Sequence, residues 1–317
     1  MNETATQRHR KYAALIQACQ GLPPLRTAVA HPCDESALRG ALEARAAGLI
    51  EPVLVGPKAR VRALAARFGL ALDGVELIDQ PHSHAAAERA VRLVREGAAQ
   101  ALMKGSLHTD ELMAEVVDPQ RGLRTGRRIS HVFVMDVPSY PKPLYLTDAA
   151  VNIAPTLEDK ADLVRNAIEL ARALGVSCPK VAILSAVETV SSKLRSTLDA
   201  AALCKMAERG QIEGALLDGP LALDSAIDRS AARIKHLSSP VAGDADILLA
   251  PDLEAGNLLA KELSFLAHAD AAGIVLGARV PVMLTSRADH LRARIASAAI
   301  ALRYVHGRSA TPAVRDA

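Results

Sequence analysis

Short aliphatic runs alternate with Ala-rich amphipathic stretches along nearly the whole chain, and this rhythm constrains the fold more than any other property of the sequence. Strand-like runs fall at Thr27–Ala30, Pro52–Val55, Val75–Ile78, Ala101–Met103, Val132–Met135 and Leu144–Leu146. They continue at Val181–Leu184, Ala215–Leu217, Ile247–Leu249, Gly273–Leu276 and Val282–Leu284. Between most of them lie helical patterns, among them Glu35–Ala47, Ala85–Arg95, Glu158–Leu174, Arg195–Glu208 and Glu254–Leu266. Alternation of this kind predicts mostly parallel sheets with helices on both faces, an α/β protein. A chain of 317 residues exceeds the size at which one core keeps growing, so two domains are expected.

The regular alternation breaks once, between about Asp118 and Pro143. That stretch holds Gly122, Gly126, Arg121, Arg124, Arg127 and Arg128, then two strand-like runs around Pro138-Ser139-Tyr140-Pro141-Lys142-Pro143. Two strands with a Pro-rich connection predict a bridging hairpin or the crossing between domains. The boundary is placed near residue 145, with the last helix, after Arg287, returning to the first domain. The expected domains are therefore 1–145 with 287–317, and 146–286. The helix from Glu158 carries its own start and stop signals: Thr156 and Asp159 at capping-box spacing, and Gly175 at the end.

Half the residues are apolar, yet there are only three Phe, four Tyr and no Trp. Such a chain lacks the aromatic platforms on which single-stranded nucleic acids stack. The net charge of +3 is slight and spread along the sequence, which leaves room for a local anion pocket but not for a broad nucleic-acid surface. Four cysteines without metal-ligand spacing fit reduced thiols in a reducing compartment. The polar start through Lys11 and the short apolar piece after it predict neither a secretory signal nor a membrane span. The expectation is a cytoplasmic protein that engages neither membrane nor nucleic acid.

The familiar nucleotide, zinc-protease and serine-hydrolase signatures are absent. What remains is a set of strand ends bearing polar groups, where open parallel sheets bind ligands. In Met103-Lys104-Gly105-Ser106-Leu107-His108-Thr109 a strand hands over to a helix capped by Ser106 or Thr109; it reads either as an anion cradle with Lys104 as point charge or as an ordinary turn. In Thr147-Asp148-Ala149-Ala150-Val151-Asn152, Asp148 and Asn152 face a crevice or close Asx turns. Gly219-Pro220 after Leu217-Asp218 predicts a tight turn, with Asp218 holding a ligand or fixing that turn. Gly256-Asn257 inside a helical pattern costs helix propensity and points to close approach by a ligand or a neighbouring backbone. Finally, Thr285-Ser286-Arg287-Ala288-Asp289 joins the last strand-like run to a helix. There the amide groups and dipole favour an anion, although Ser286 and Asp289 also have capping-box spacing.

Taken in order, these segments resemble the phosphate acetyl/butyryl transferase family over nearly the whole chain. Met103-Lys104-Gly105 with His108-Thr109 is similar to its first active-site loop. Asp148-Ala149-Ala150-Val151-Asn152 with Pro155-Thr156, Pro251-Asp252-Leu253-Glu254-Ala255-Gly256-Asn257 and Thr285-Ser286-Arg287 match its later signatures. The resemblance implies two α/β/α domains of the isocitrate/isopropylmalate dehydrogenase-like type with an interdomain cleft. It also implies transfer of an acetyl or butyryl group between coenzyme A and phosphate, and a homodimer or larger homo-oligomer. Ser286 and Arg287 match the family's catalytic pair. Asp110–Glu115 lacks the Arg common in the acetyl branch, and Lys104-Gly105 with the Thr285-Ser286-Arg287-Ala288-Asp289 ending looks more like the butyryl branch.

On that basis coenzyme A is a substrate, no cofactor is tightly bound and no metal is required. Arg287 would bind phosphoryl oxygens and Ser286 the oxyanion or leaving phosphate. Asp289 would act as base, with Asp218 and His108 as rivals. Lys104, Arg127 and Arg128 are candidates for the nucleotide phosphates of coenzyme A, while Gly105, His108, Thr109, Asp148, Asn152, Asp218, Gly256, Asn257 and Thr285 complete the candidate substrate site. The rival readings are a metal- and NAD(P)-dependent dehydrogenase-like enzyme on the same fold and a non-catalytic acyl-CoA-binding protein.

Overall fold

The aliphatic runs form strands wherever they recur in the computed structural model, which describes residues 10–284 and 291–310. The strands are β1 (Leu25–Ala30), β2 (Ile50–Gly56), β3 (Glu76–Asp79), β4 (Ala101–Lys104), β5 (Ser130–Asp136) and β6 (Leu144–Thr147). They continue with β7 (Lys180–Leu184), β8 (Leu216–Leu221), β9 (Ile247–Leu249), β10 (Asp270–Leu276) and β11 (Val282–Met283). Among the described residues, no helix is long and apolar enough to cross a membrane.

The chain divides into two compact units, Ala13–Arg127 with Ala272–Ala317 and Met1–Tyr12 with Arg128–Ala271. The crossings thus fall at 127/128 and 271/272, where the sequence pattern pointed to 145 and 287. The reason is strand pairing. β5 and β6 form an antiparallel hairpin in which Phe133 opposes Leu146 and Met135 opposes Leu144, so both arms and their Pro-rich connection belong together. Tyr12 also anchors this unit, its hydroxyl donating to Val134 O at 2.5 Å.

In the unit built from Ala13–Arg127 and the C-terminal segment, the strand order is β3-β2-β1-β4-β11-β10. Every pairing there is parallel except β10 with β11. Parallel strands covered on both faces read as continuous apolar runs, and Ala28, Val29 and Ala30 of β1 are fully buried. Helix Ser83–Arg95 turns Ala86, Ala87, Ala90, Val91, Leu93 and Val94 inward. β4 and β11 run side by side in the same direction, Leu102 beside Val282 and Met103 beside Met283. The chain therefore leaves Lys104 and Met283 at the same end of the sheet.

The unit Arg128–Ala271 has strand order β5-β6-β9-β7-β8, with β6, β9, β7 and β8 mutually parallel. β9 is buried throughout. Helix Leu157–Ala173 begins with the capping box expected from Thr156 and Asp159, each side chain accepting the other's backbone N–H. It also carries Lys160 inward to a 2.8 Å ion pair with Asp199, both side chains 5% exposed. Arg195 binds the other Asp199 oxygen at 2.7 Å. Two cations on one carboxylate offset the desolvation that a buried pair incurs.

The structure corrects one local expectation. Gly219-Pro220 forms no turn after a strand but lies inside β8, which runs on to Leu221. β8 is the edge strand, where a residue without N–H is tolerated, and its register with β7 shifts between Ala182 and Leu184.

Candidate active site

At the end of β6 the chain wraps around a buried charge. Asp148 is 2% exposed. Its Oδ1 accepts from Ala150 N at 2.8 Å and Val151 N at 3.1 Å. Its Oδ2 accepts from His131 N at 3.3 Å, Asn152 N at 3.3 Å and Asn152 Nδ2 at 2.6 Å. A carboxylate offers about four lone-pair sites, so the three donors on Oδ2 share its two, and together the five N–H groups replace the water lost on burial. Asp148 thus organises the loop instead of facing a crevice.

Asn152, also 2% exposed, passes that order outward. Its Nδ2 donates to Ile129 O at 2.9 Å, and its Oδ1 accepts from Arg128 Nε at 2.7 Å. Arg128 is held at its backbone too: its N–H donates to Asp162 Oδ2 at 2.9 Å, and its carbonyl accepts from Asn166 Nδ2 at 2.9 Å. Asp159 approaches Nε at 3.5 Å. The two Nη groups make no hydrogen bond among the described residues, and the side chain is 54% exposed. The result is a fixed guanidinium whose outer fork is open to an anion.

Helix Leu253–Phe265 braces the same loop. Asn257 Nδ2 donates to Ala149 O at 3.0 Å. A Cβ at Gly256 would lie 2.3 Å from Asp148 O, so only glycine fits. Of the two causes the sequence offered for Gly256-Asn257, backbone approach is the one observed. Arg128, Asp148, Asn152, Gly256 and Asn257 therefore form one connected assembly. Asp218 stands apart from it in edge strand β8, its Oδ1 accepting from Gly219 N at 2.9 Å.

His131 belongs to this assembly and was not singled out from sequence; the signal was a polar Ser130-His131 pair heading the apolar run Val132–Met135. Its ring is buried, edge-on to Phe133 at 4.3 Å, and Nδ1 has no partner among the described residues. Burial lowers its pKa from 6.5 to about 4, against the opposing pull of Asp148. The unfolded chain takes up this proton near pH 6.5, and the folded chain resists until about pH 4. This contribution to stability is therefore complete above pH 6.5 and is lost as pH falls toward 4, a change of about 3 kcal/mol. Urea unfolding across that range measures it. His131→Leu should flatten the slope, and an unchanged slope would remove His131 as the cause.

In the other unit, the loop after β4 is tied to the end of β1. Gly105 N donates to Ala30 O and Ser106 N to His31 O, each at 2.8 Å. A Cβ at Gly105 would meet Ala30 O at 2.3 Å. Ser106 does not cap the following helix: its Oγ donates to His31 O at 2.8 Å and accepts from Cys33 N at 3.2 Å. Burial, with Arg60 adding to it, holds the His31 pKa below its ordinary value. Helix Thr109–Val117 has His108 at its N-cap without a side-chain bond, and His108 and Thr109 are exposed.

Lys104, read from sequence either as the point charge of an anion cradle or as part of an ordinary turn, is turned into its own loop. It is buried, and its Nζ donates to Gly105 O at 3.3 Å and Leu107 O at 3.2 Å. An ammonium is better satisfied by loop carbonyls than left bare at the buried end of a parallel strand. Thr285, Ser286, Arg287 and Asp289 lie outside the described residues.

With this geometry in hand, comparison with known proteins is specific. Residues 83–302 match the model of the phosphate acetyl/butaryl transferase family. The chain is 62% identical over 300 residues to the phosphate acetyltransferase of Rhizobium meliloti, covering 95% of each protein. It is 41% identical over 292 residues to the phosphate butyryltransferase of Clostridium acetobutylicum, covering 92% of this chain and 97% of that one. Among solved structures it is similar to a branched-chain phosphotransacylase from Enterococcus faecalis V583, with a TM-score of 0.77 and 32% identity over 89% of this chain and 99% of that one. The strand-end loops, the Asp148-centred assembly and matches that span nearly the full length lead to one conclusion: the chain belongs to the phosphate acetyl/butaryl transferase family.

Proposed function

We infer that this acyltransferase moves a short acyl group between coenzyme A and inorganic phosphate, acyl-CoA + phosphate = acyl phosphate + CoA. The observation that carries the reading is the adjacency of β4 and β11. Two parallel neighbours end together at Lys104 and Met283, and the chain continues from the second directly into Thr285-Ser286-Arg287. Ligands of open parallel sheets bind beyond such carboxyl ends.

In the proposed mechanism both substrates are bound together and no covalent enzyme intermediate forms. The thiolate of coenzyme A attacks the carbonyl carbon of the acyl phosphate. A C–S bond forms, the C–O bond to phosphate breaks, and phosphate leaves with the electron pair. A thiol with an ordinary pKa of roughly 8.5 is mostly protonated at neutral pH, so Asp289 takes its proton, with His108 and Asp218 as the other candidate bases. Arg287 binds the phosphoryl oxygens through two charge-assisted bonds. Ser286, beside Thr285, donates to the oxyanion.

The open fork of Arg128 supports a role on the phosphates of coenzyme A, together with Arg127 and the Lys104-Gly105 loop, where His108 and Thr109 start a helix. Asp148, Asn152, Gly256 and Asn257 serve this proposal as the frame that fixes Arg128. Coenzyme A is a substrate, and no cofactor is tightly bound.

The 62% identity to a protein named phosphate acetyltransferase, against 41% to one named for butyryl transfer, supports acetyl as the preferred group. The test is phosphate-dependent release of free thiol from acetyl-, propionyl- and butyryl-CoA, compared side by side. The acetyl ester should give the highest kcat/KM. Release that needs no phosphate defeats the reaction assignment, and a butyryl optimum defeats the acyl preference alone.

A further inference from the structure

In the unit that carries β4 and β11, the strand order reverses at β1: β2 and β3 follow on one side and β4 on the other. Open parallel sheets bind ligands beyond the carboxyl ends at such a reversal. His31 is the residue the chain places there. It follows Ala30, which pairs with Lys104 of β4, and its φ of 53° is the left-handed conformation that a side chain disfavours. Both neighbouring strands hold it. Its N–H donates to Val55 O at 2.7 Å, and its carbonyl accepts from Ser106 N at 2.8 Å. A strained residue pinned from two sides at a ligand-binding edge points to function.

The hydrogen bonds also assign the proton on its half-buried ring. Ser106 Oγ has two lone pairs and one hydrogen, and the hydrogen goes to His31 O at 2.8 Å. One lone pair accepts from Cys33 N at 3.2 Å. At the 3.2 Å contact with His31 Nδ1, it is therefore the ring nitrogen that donates. The neutral ring then presents its own lone pair at Nε2, which makes no hydrogen bond among the described residues. Arg60, Glu111, Asp34 and His82 surround the ring. Burial, then Arg60 and least His82 favour its neutral form, while Glu111 and Asp34 oppose them.

We propose that His31 is the proton carrier for phosphate in the acyl transfer, a role that rests on the reaction proposed above. Thiolate attack on an acyl phosphate dianion would otherwise expel the phosphate trianion, a strongly basic leaving group. With His31 protonated, Nε2–H passes its proton to the departing oxygen as the C–O bond breaks, and hydrogen phosphate leaves with the electron pair. In the opposite direction, neutral Nε2 takes the proton of hydrogen phosphate as its oxygen attacks the thioester carbonyl. The C–S bond breaks, and the thiolate departs with that electron pair. Asp289 serves the sulfur and His31 the phosphate, so each substrate has its own base. β1 ends two strand spacings, roughly 10 Å, from β11, a gap that a phosphate held between an imidazole and a guanidinium fills.

His31→Asn suits the left-handed backbone and keeps a side-chain N–H for Ser106, but it has no proton to transfer. Acylation of coenzyme A by acetyl phosphate is compared with acylation by acetyl methyl phosphate, whose leaving methyl phosphate dianion needs no proton. In this variant kcat should fall about a hundredfold on the first and less than about fivefold on the second. His31→Gly, which suits the same φ, should regain at least about tenfold in kcat when imidazole is added. Three results overturn the proposal: an equal loss on both esters, a loss below about fivefold on acetyl phosphate, or no rescue by imidazole. A parent that accepts acetyl phosphate alone leaves the decision to the rescue. A parent inert toward both esters withdraws the acyl-transfer reading, and this role with it.

Discussion

Asp148→Asn is expected to lower stability by about 3–5 kcal/mol, despite being nearly isosteric, and to weaken substrate binding with it. Five N–H groups converge on this carboxylate. An amide offers them one oxygen and one NH2. If the NH2 replaces Oδ1 it confronts Ala150 N and Val151 N; if it replaces Oδ2 it confronts His131 N and both Asn152 donors. Each buried donor left without an acceptor costs about 1–3 kcal/mol, which places this substitution among the severe ones. Asn152 would also lose the bond that orients its Oδ1 toward Arg128, so KM for acyl-CoA should rise several-fold in whatever protein folds. Urea unfolding monitored by circular dichroism is the measurement. A loss below about 1 kcal/mol would show that the loop does not depend on this charge.

Arg287→Gln should act in the opposite manner, on turnover and not on folding. Removing one preorganised donor from a developing anion typically costs 100–1,000-fold in rate, or about 2.7–4 kcal/mol. The expected result is a fall of that order in kcat/KM, with an unfolding curve superimposable on the parent. Wild-type turnover in this variant would withdraw the phosphate-binding role. Asp289→Asn, assayed beside it, should abolish the acidic limb of the pH–rate profile, the fall in rate as the base is protonated. A profile that keeps its shape and height reduces Asp289 to a helix-capping residue and moves the search for the base to His108 or Asp218.

Local patterns were legible where the physics is local. The capping box at Thr156 and Asp159 needs only two side chains and two amides three residues apart, and it formed as spaced. The Leu144–Leu146 run was readable as a strand because a buried parallel neighbour demands unbroken apolar sequence, and β6 is buried throughout. The direction in which a polar group points was not legible. Lys104 has the same one-dimensional surroundings whether its ammonium meets solvent or its own loop carbonyls, and the choice depends on β1 closing over Gly105. Gly219-Pro220 read as a turn because edge-strand position, which admits proline, is a property of the finished sheet. His131 escaped attention for a related reason: the partner that makes it matter, Asp148, is far along the chain and reaches it across a hairpin.

The contact between Gly256 and the carbonyl of Asp148 is backbone against backbone. No rotamer lies between the two elements to absorb a small displacement. A tilt of helix Leu253–Phe265 would therefore travel undamped through the Asp148 loop and Asn152 to the guanidinium of Arg128, as a gear passes rotation where a spring would store it. Sequence changes on the outer side of that helix, remote from any substrate atom, should on this account retune affinity for the anion.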